Sequence, residues 1–210
     1  MYLSRLILDP RSRRTQAELA DPYQMHRTLM AAFPEDLPDN ERMLYRVDTD
    51  RHTGVPTVLV QSQNQPDWSF IEDDSRYLLQ RKPVSNPDCK RVNVHVEKGQ
   101  LLAFRLRANP IVKRNGRRIG LYDEQEQLQW LQRKGADGGF RVVTVTIVVQ
   151  GMQDTEKVAN DDKMQIRHYA ARFDGQLQVT APERFRETLE SGIGPAKAFG
   201  FGLLSVAPVR

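Results

Sequence analysis

Around residue 105 the chain alternates with a period of two. Leu102, Phe104, Leu106 and Ala108 interleave with Ala103, Arg105 and Arg107, and Pro110 follows. That pattern is a β-strand with one apolar face for a core and one face carrying two arginines, ended by the proline. Such a strand needs partners beside it and a layer over its apolar side. The sequence downstream supplies both. Asn115-Gly116 marks a tight turn. Asp123 caps a helix expected over residues 124–134, with Glu126 closing a capping box. Residues 142–149 are rich in β-branched side chains and read as a strand. Residues 165–173 and 176–179 are expected to pair across a hairpin turn at Asp174-Gly175. A helix over residues 181–191 follows, with Thr180 and Glu183 as its capping box and Gly192 as its C-terminal cap. Residues 203–207 close as a strand.

The first half has a similar rhythm. Residues 4–9 read as a strand, a basic connection bearing Arg11, Arg13 and Arg14 follows, and residues 22–33 read as a helix stopped by Pro34. Residues 34–41 are a polar loop. Strands are expected over residues 43–48 and 56–62, and a short one over 68–71. No second helix is well marked, though residues 73–80 could hold a short, degenerate one. The Pro83 to Asp88 stretch, with two prolines, is the expected boundary between domains at residues 1–85 and 86–210. Strands interleaved with helices in both halves give an α+β fold of two tandem ferredoxin-like (RRM-like) domains, the βαββαβ pattern being clearest in the second.

At 210 residues, 39% hydrophobic and 28% charged, the chain has enough apolar material for two cores of about 100 residues each. No stretch approaches the roughly 20 apolar residues of a membrane span, and the N-terminal residues alternate like a strand rather than forming a signal peptide. Cys89 is the one cysteine. An intrachain disulfide and a cysteine-based zinc site are therefore excluded, and a cytoplasmic location is expected. The net charge of +4 is mild, but its distribution is not. Between residues 103 and 122 there are six basic side chains, Arg105, Arg107, Lys113, Arg114, Arg117 and Arg118, and no acidic one. Such a cluster is either a polyanion-binding face or a solvated hairpin that keeps the protein soluble.

Two further stretches carry chemistry. In Asp21-Pro22-Tyr23-Gln24-Met25-His26-Arg27, Asp21 suits an N-cap, Pro22 the first helical position, and Gln24 the back-bonding position of a capping box. Tyr23, His26 and Arg27 then share a helix face, while Met25, Leu29 and Ala32 form a separate apolar stripe. An imidazole there is either an acid/base catalyst or an ordinary half-buried residue. The stretch Gly192-Ile193-Gly194-Pro195-Ala196-Lys197-Ala198-Phe199-Gly200-Phe201-Gly202 sets four glycines and a lysine between a helix and the last strand. It matches neither a Walker loop nor a dinucleotide fingerprint. Its backbone either faces a phosphate or closes a turn.

These blocks, together with Leu8-Asp9-Pro10, Gln65-Pro66-Asp67-Trp68 and Phe104-Arg105-Leu106-Arg107-Ala108-Asn109-Pro110, resemble in the same order those of the CasE family, the CRISPR RNA-processing endoribonucleases of type I-E Cascade. The resemblance spans residues 3 to 208. It implies tandem ferredoxin-like domains and binding of the repeat stem-loop of precursor CRISPR RNA. It also implies metal-free cleavage at the base of the stem. In that reaction the 2′-hydroxyl attacks the neighbouring phosphate, leaving a 2′,3′-cyclic phosphate and a 5′-hydroxyl, and the product is retained for the other Cascade subunits. On the family pattern His26 is the principal catalyst. Tyr23 orients the 2′-hydroxyl or phosphate, a phenol being a poor base at neutral pH. Arg27 and Lys157 stabilise charge in the transition state. Arg105, Arg107, Lys113, Arg114, Arg117 and Arg118 would meet the stem through phosphates and 2′-hydroxyls, with Gly194 and Lys197 contributing from the tail. No metal or small-molecule cofactor and no membrane is implied. Of the other histidines, His52, His95 and His168, the last is the alternative catalyst. The competing reading is a non-catalytic RNA-binding scaffold subunit of the same fold.

Overall fold

A computed structural model describes residues 1–34, 43–72, 76–79, 85–159 and 162–209. The side chains of residues 72, 154–159 and 162–166 lie outside that description. The chain divides into two units. The first contains Met1–Asn93, Thr155–Met164 and Ala198–Gly200, and the second contains Val94–Asp154, Gln165–Lys197 and Phe201–Arg210.

In the first unit the strands are β1 (Tyr2–Ile7), β2 (Leu44–Thr49), β3 (Pro56–Ser62) and β4 (Asp88–Arg91), with helices α1 (Arg13–Ala20), α2 (Pro22–Met30) and α3 (Ser69–Glu72). The sheet order is β2-β3-β1-β4, and β1 runs antiparallel to both neighbours. Because β4 pairs with β1, a segment expected beyond the boundary at residue 85 completes the first sheet. Pro83 and Val84 of the expected boundary, residues 35–41 of the expected loop, and residues 73–75 and 80 of the possible helix lie outside the described residues. Leu6, Val58 and Val60 from the strands, with Leu8 just past β1, bury against Met25 and Leu29 of α2 and Ile71 of α3. Each such side chain contributes roughly 1.5–3 kcal/mol.

Two elements here differ from expectation. Residues 69–72 are helical rather than a strand. The Trp68 indole just before them is buried and donates to Ser4 Oγ at 3.0 Å, which sets the chain down on the sheet. The basic connection is the helix α1. It buries only Thr15 and Glu18, so it has no apolar stripe to announce it. Polar contacts hold it instead. Glu18, 5% exposed, accepts from Arg14 Nε at 3.0 Å, Thr28 Oγ1 of α2 at 2.7 Å and the buried Tyr77 hydroxyl at 2.5 Å, while the Arg14 guanidinium lies 4.3 Å over the Tyr77 ring.

The second unit contains β5 (Leu101–Ala108), β6 (Ile111–Arg114), β7 (Arg117–Gly120), α4 (Glu124–Asp137), β8 (Phe140–Ala159), β9 (Asp162–Val179), α5 (Pro182–Ser191), a 3₁₀ turn η1 (Lys197–Phe199) whose last two residues group with the first unit, and β10 (Leu204–Pro208). Its main sheet has the order β10-β5-β9-β8, and β6 and β7 form a separate two-stranded sheet. Leu102, Phe104, Leu106 and Ala108 all turn inward as their alternation requires, meeting Trp130, Leu131, Phe173, Leu177, Phe185 and Leu189. Asp123 caps α4 through Gln125 and Glu126 N–H. The α5 cap falls on Ala181 without a side-chain bond, so the expected Thr180 capping box does not form.

Asp174-Gly175 makes no turn. Both residues lie within β9, where Asp174 stands opposite Arg105 and pairs with it at 2.6 Å. Gly175 is required because a Cβ there would collide with the Thr144 carbonyl of β8. In each unit the fourth strand neighbours the first and the first neighbours the third. This is the ferredoxin-like βαββαβ arrangement, twice. Among the described residues no helix is long and apolar enough to cross a membrane.

Candidate active site

The first unit presents α2 as a well-anchored platform. Asp21 accepts from Tyr23 N–H at 3.1 Å, and its own N–H donates to Ala17 O at 2.9 Å, so one residue ends α1 and begins α2. That double duty explains why the expected capping box with Gln24 is absent. The N–H that Gln24 would have received is already bonded to α1, and Gln24 is exposed. The helix ends at Met30, with Ala31 as its cap, three residues before the expected stop.

Met25 and Leu29 seat α2, and the opposite positions place His26 and Tyr23 half-buried and Arg27 exposed. His26 Nδ1 is buried with no hydrogen-bond partner among the described residues. Burial holds the imidazole below its ordinary pKa, because the charged form loses hydration. Its ring lies almost parallel to that of Tyr45, with centroids 6.4 Å apart and planes at 17°. Tyr23 faces Phe199 at 6.4 Å. A neutral, half-buried imidazole beside a phenol and a guanidinium on one helix face can exchange a proton near neutral pH and bind an anion. Reasoning from the sequence missed Tyr45 and Phe199. A tyrosine inside the expected strand over residues 43–48, needing an acceptor for its hydroxyl, was the available signal for the first.

In the second unit, the turn between β6 and β7 has Asn115 at φ 49° and Gly116 at φ 79°, the paired positive values of a tight hairpin. It sets Lys113 opposite Arg118 and Arg114 opposite Arg117. Like charges directly across a ladder are destabilising, so the hairpin concentrates positive potential at a small loss of stability. All four side chains are exposed, and Arg114 reaches Glu126 at 3.0 Å.

Arg105 and Arg107 are engaged within the protein. The first pairs with Asp174, and the second donates to Gln150 at 2.8 Å and Gln153 at 2.6 Å while lying 4.3 Å over Phe201. His168 is buried in the same unit, with Nδ1 3.1 Å from Asn109 Nδ2 and its ring edge-on to Phe201. Burial and the nearby Arg107 charge lower its pKa. In the glycine-rich tail, Gly192 caps α5, Gly194 lies against the Trp130 ring and Gly202 against the Ile193 carbonyl, with Lys197 opening η1. Lys157 falls in β8, and its side chain is outside the described residues.

Comparison with known proteins places this arrangement in context. The family described as CRISPR associated protein matches residues 1–208. The chain is 39% identical to the CRISPR-associated endoribonuclease Cse3 of Thermus thermophilus, over 99% of this chain and all of that one. It is 31% identical to the CRISPR system Cascade subunit CasE of Escherichia coli, over the full length of both. Its fold superposes with a TM-score of 0.86 on the CRISPR endoribonuclease Cse3 bound to 19 nt RNA, at 38% identity, covering 99% of this chain and all of the other. From its first strand to its last, the chain belongs to the CRISPR-associated protein family.

Proposed function

We propose that this chain is a metal-independent endoribonuclease that binds the repeat stem-loop of precursor CRISPR RNA and cuts at the base of the stem. The observation that carries the reading is the half-buried His26 beside Tyr23 on α2, in a chain aligned over its full length with proteins named an endoribonuclease and a Cascade subunit. With Nδ1 turned into the protein, Nε2 exchanges the proton. His26 accepts the 2′-hydroxyl proton as the 2′-oxygen bonds to phosphorus and the bond to the 5′-oxygen breaks. That oxygen takes up a proton from water to leave as a 5′-hydroxyl, His26 returns the proton it accepted to solvent, and the other product ends in a 2′,3′-cyclic phosphate. Tyr23 orients the nucleophile or the phosphate. Arg27, with Lys157, supplies positive charge where the phosphorane develops it. The β6–β7 hairpin meets the stem through phosphates and 2′-hydroxyls, and Arg105, Arg107, Gly194 and Lys197 support that face. The product remains bound and joins Cascade in the cytoplasm.

The test is single-turnover cleavage of a repeat stem-loop in EDTA by wild type and His26→Ala, with binding measured in parallel. The expected result is a cyclic-phosphate end, and a variant that binds normally but cuts about 10²–10⁴-fold more slowly. Tight binding with no cleavage by wild type would establish the scaffold reading instead.

A further inference from the structure

We propose that Tyr45 is a positioning residue for His26, fixing the imidazole through the turn of α2 that bears it. The inference rests on the reading of His26 as the proton-transfer group. Tyr45 is 1% exposed in β2, and a phenol buried that deeply needs an acceptor. Its hydroxyl donates to the Pro22 carbonyl at 2.7 Å and lies 3.3 Å from the Ala198 carbonyl. Pro22 is the first residue of α2, and in an α-helix the carbonyl of residue i receives the N–H of residue i+4. Here that residue is His26. The phenol thus holds from the sheet side the same carbonyl that the His26 amide holds from the helix side.

The ring adds a second restraint. It lies nearly parallel to the imidazole at 6.4 Å, within the range of offset aromatic pairs. The hydroxyl therefore sets the height and rotation of the first turn, and the ring limits the swing of the imidazole about its side-chain torsions. Met25 and Leu29 anchor the helix through its other face. For an in-line attack, a misplacement of about 1 Å is enough to lose roughly 10²-fold in rate.

The experiment uses the full chain and a repeat stem-loop RNA at saturating protein. Wild type, Tyr45→Phe, Tyr45→Leu and His26→Ala are compared in single-turnover rate, RNA Kd and pH–rate profile, and the three proteins that keep His26 also in its NMR titration. Tyr45→Phe keeps the ring and is expected to cut about 10-fold more slowly, with Kd and the basic-group limb of the profile unchanged. Tyr45→Leu is expected to cut about 10²-fold more slowly, with that limb and the His26 titration moved to higher pH as water reaches the imidazole. If both variants cut at the wild-type rate with the wild-type limb, whatever their melting temperatures, Tyr45 is only a core residue and the inference fails. If His26→Ala itself cuts like wild type, the underlying assignment of His26 fails, and this inference with it. Should Tyr45→Leu not fold, Tyr45→Phe alone decides, because a core role moves melting and leaves the rate intact.

Discussion

Glu18 is the polar keystone between α1 and α2, and removing its carboxylate should loosen the platform that carries His26. It is 5% exposed and gathers three donors: Arg14 Nε, the Thr28 hydroxyl and the Tyr77 hydroxyl, the last on a residue with no exposed surface. In Glu18→Ala the Tyr77 hydroxyl loses an acceptor in a dry site, at about 1–3 kcal/mol, and the half-buried Thr28 hydroxyl loses one at less cost. Arg14, whose side chain is 39% exposed, adds less because water can reach it. The expected loss is about 2–4 kcal/mol, most of it from the stranded Tyr77 hydroxyl. Glu18→Gln keeps the shape and one acceptor but turns an amide N–H₂ toward a donor, so about 1–3 kcal/mol is expected. Trp68 lies in the first core and Trp130 in the second. Urea unfolding followed by Trp68 fluorescence in a Trp130→Phe background therefore reports the first unit separately. If Glu18→Gln and its parent unfold within about 0.5 kcal/mol of each other, the charge of the carboxylate contributes nothing net and the keystone argument is refuted.

Three further outcomes are expected. His26 and His168 are both held below the ordinary imidazole pKa by burial, so the unfolded chain binds their protons first. The stability they contribute is fully present above about pH 6.5 and is lost as pH falls through the folded values; NMR titration of His26 at or above about 6.5 would contradict this. Replacing Lys113, Arg117 and Arg118 with alanine should leave the melting temperature unchanged or slightly raised, since like charges face each other across the hairpin. It should also lower the slope of log affinity against log salt by about one for each phosphate that is no longer neutralised, and an unchanged slope would place the RNA elsewhere. Gly175→Ala should cost about 3 kcal/mol or more, because the added methyl enters the Thr144 carbonyl; a wild-type thermal melt would show that the two strands do not approach so closely.

The parts of the fold that the sequence announces are those with a simple period or a specific cap. The alternation around Leu106 and the Asn115-Gly116 turn are of this kind. So is the start of α2, where Asp21 and Pro22 do what their chemistry favours. What it conceals is held by other means. Helix α1 is stabilised through Glu18, and a helix with a polar buried face carries no periodic signal. Asp174-Gly175 has the composition of a turn, yet the aspartate is needed for Arg105 and the glycine for a close strand approach. The Tyr23, His26 and Arg27 face was legible from helical spacing. Tyr45 and Phe199 were not, because their proximity to it depends on the path of a sheet and of a loop far along the chain.

That path bears on how the protein is made. The first unit is not closed by its first 93 residues, because Thr155–Met164 and Ala198–Gly200 also belong to it. A nascent chain elongating at roughly 5–20 residues per second carries His26 for on the order of ten seconds before the Ala198 carbonyl that lies beside the Tyr45 hydroxyl, or the Phe199 ring that faces Tyr23, has been synthesised. Until then α2 has its helix partners and its strands but lacks its neighbours from the tail. The Tyr23–Phe199 and Tyr45–Ala198 contacts form only after residues 198 and 199 have been made, so α2 first folds without two of the contacts that flank His26 in the finished first unit.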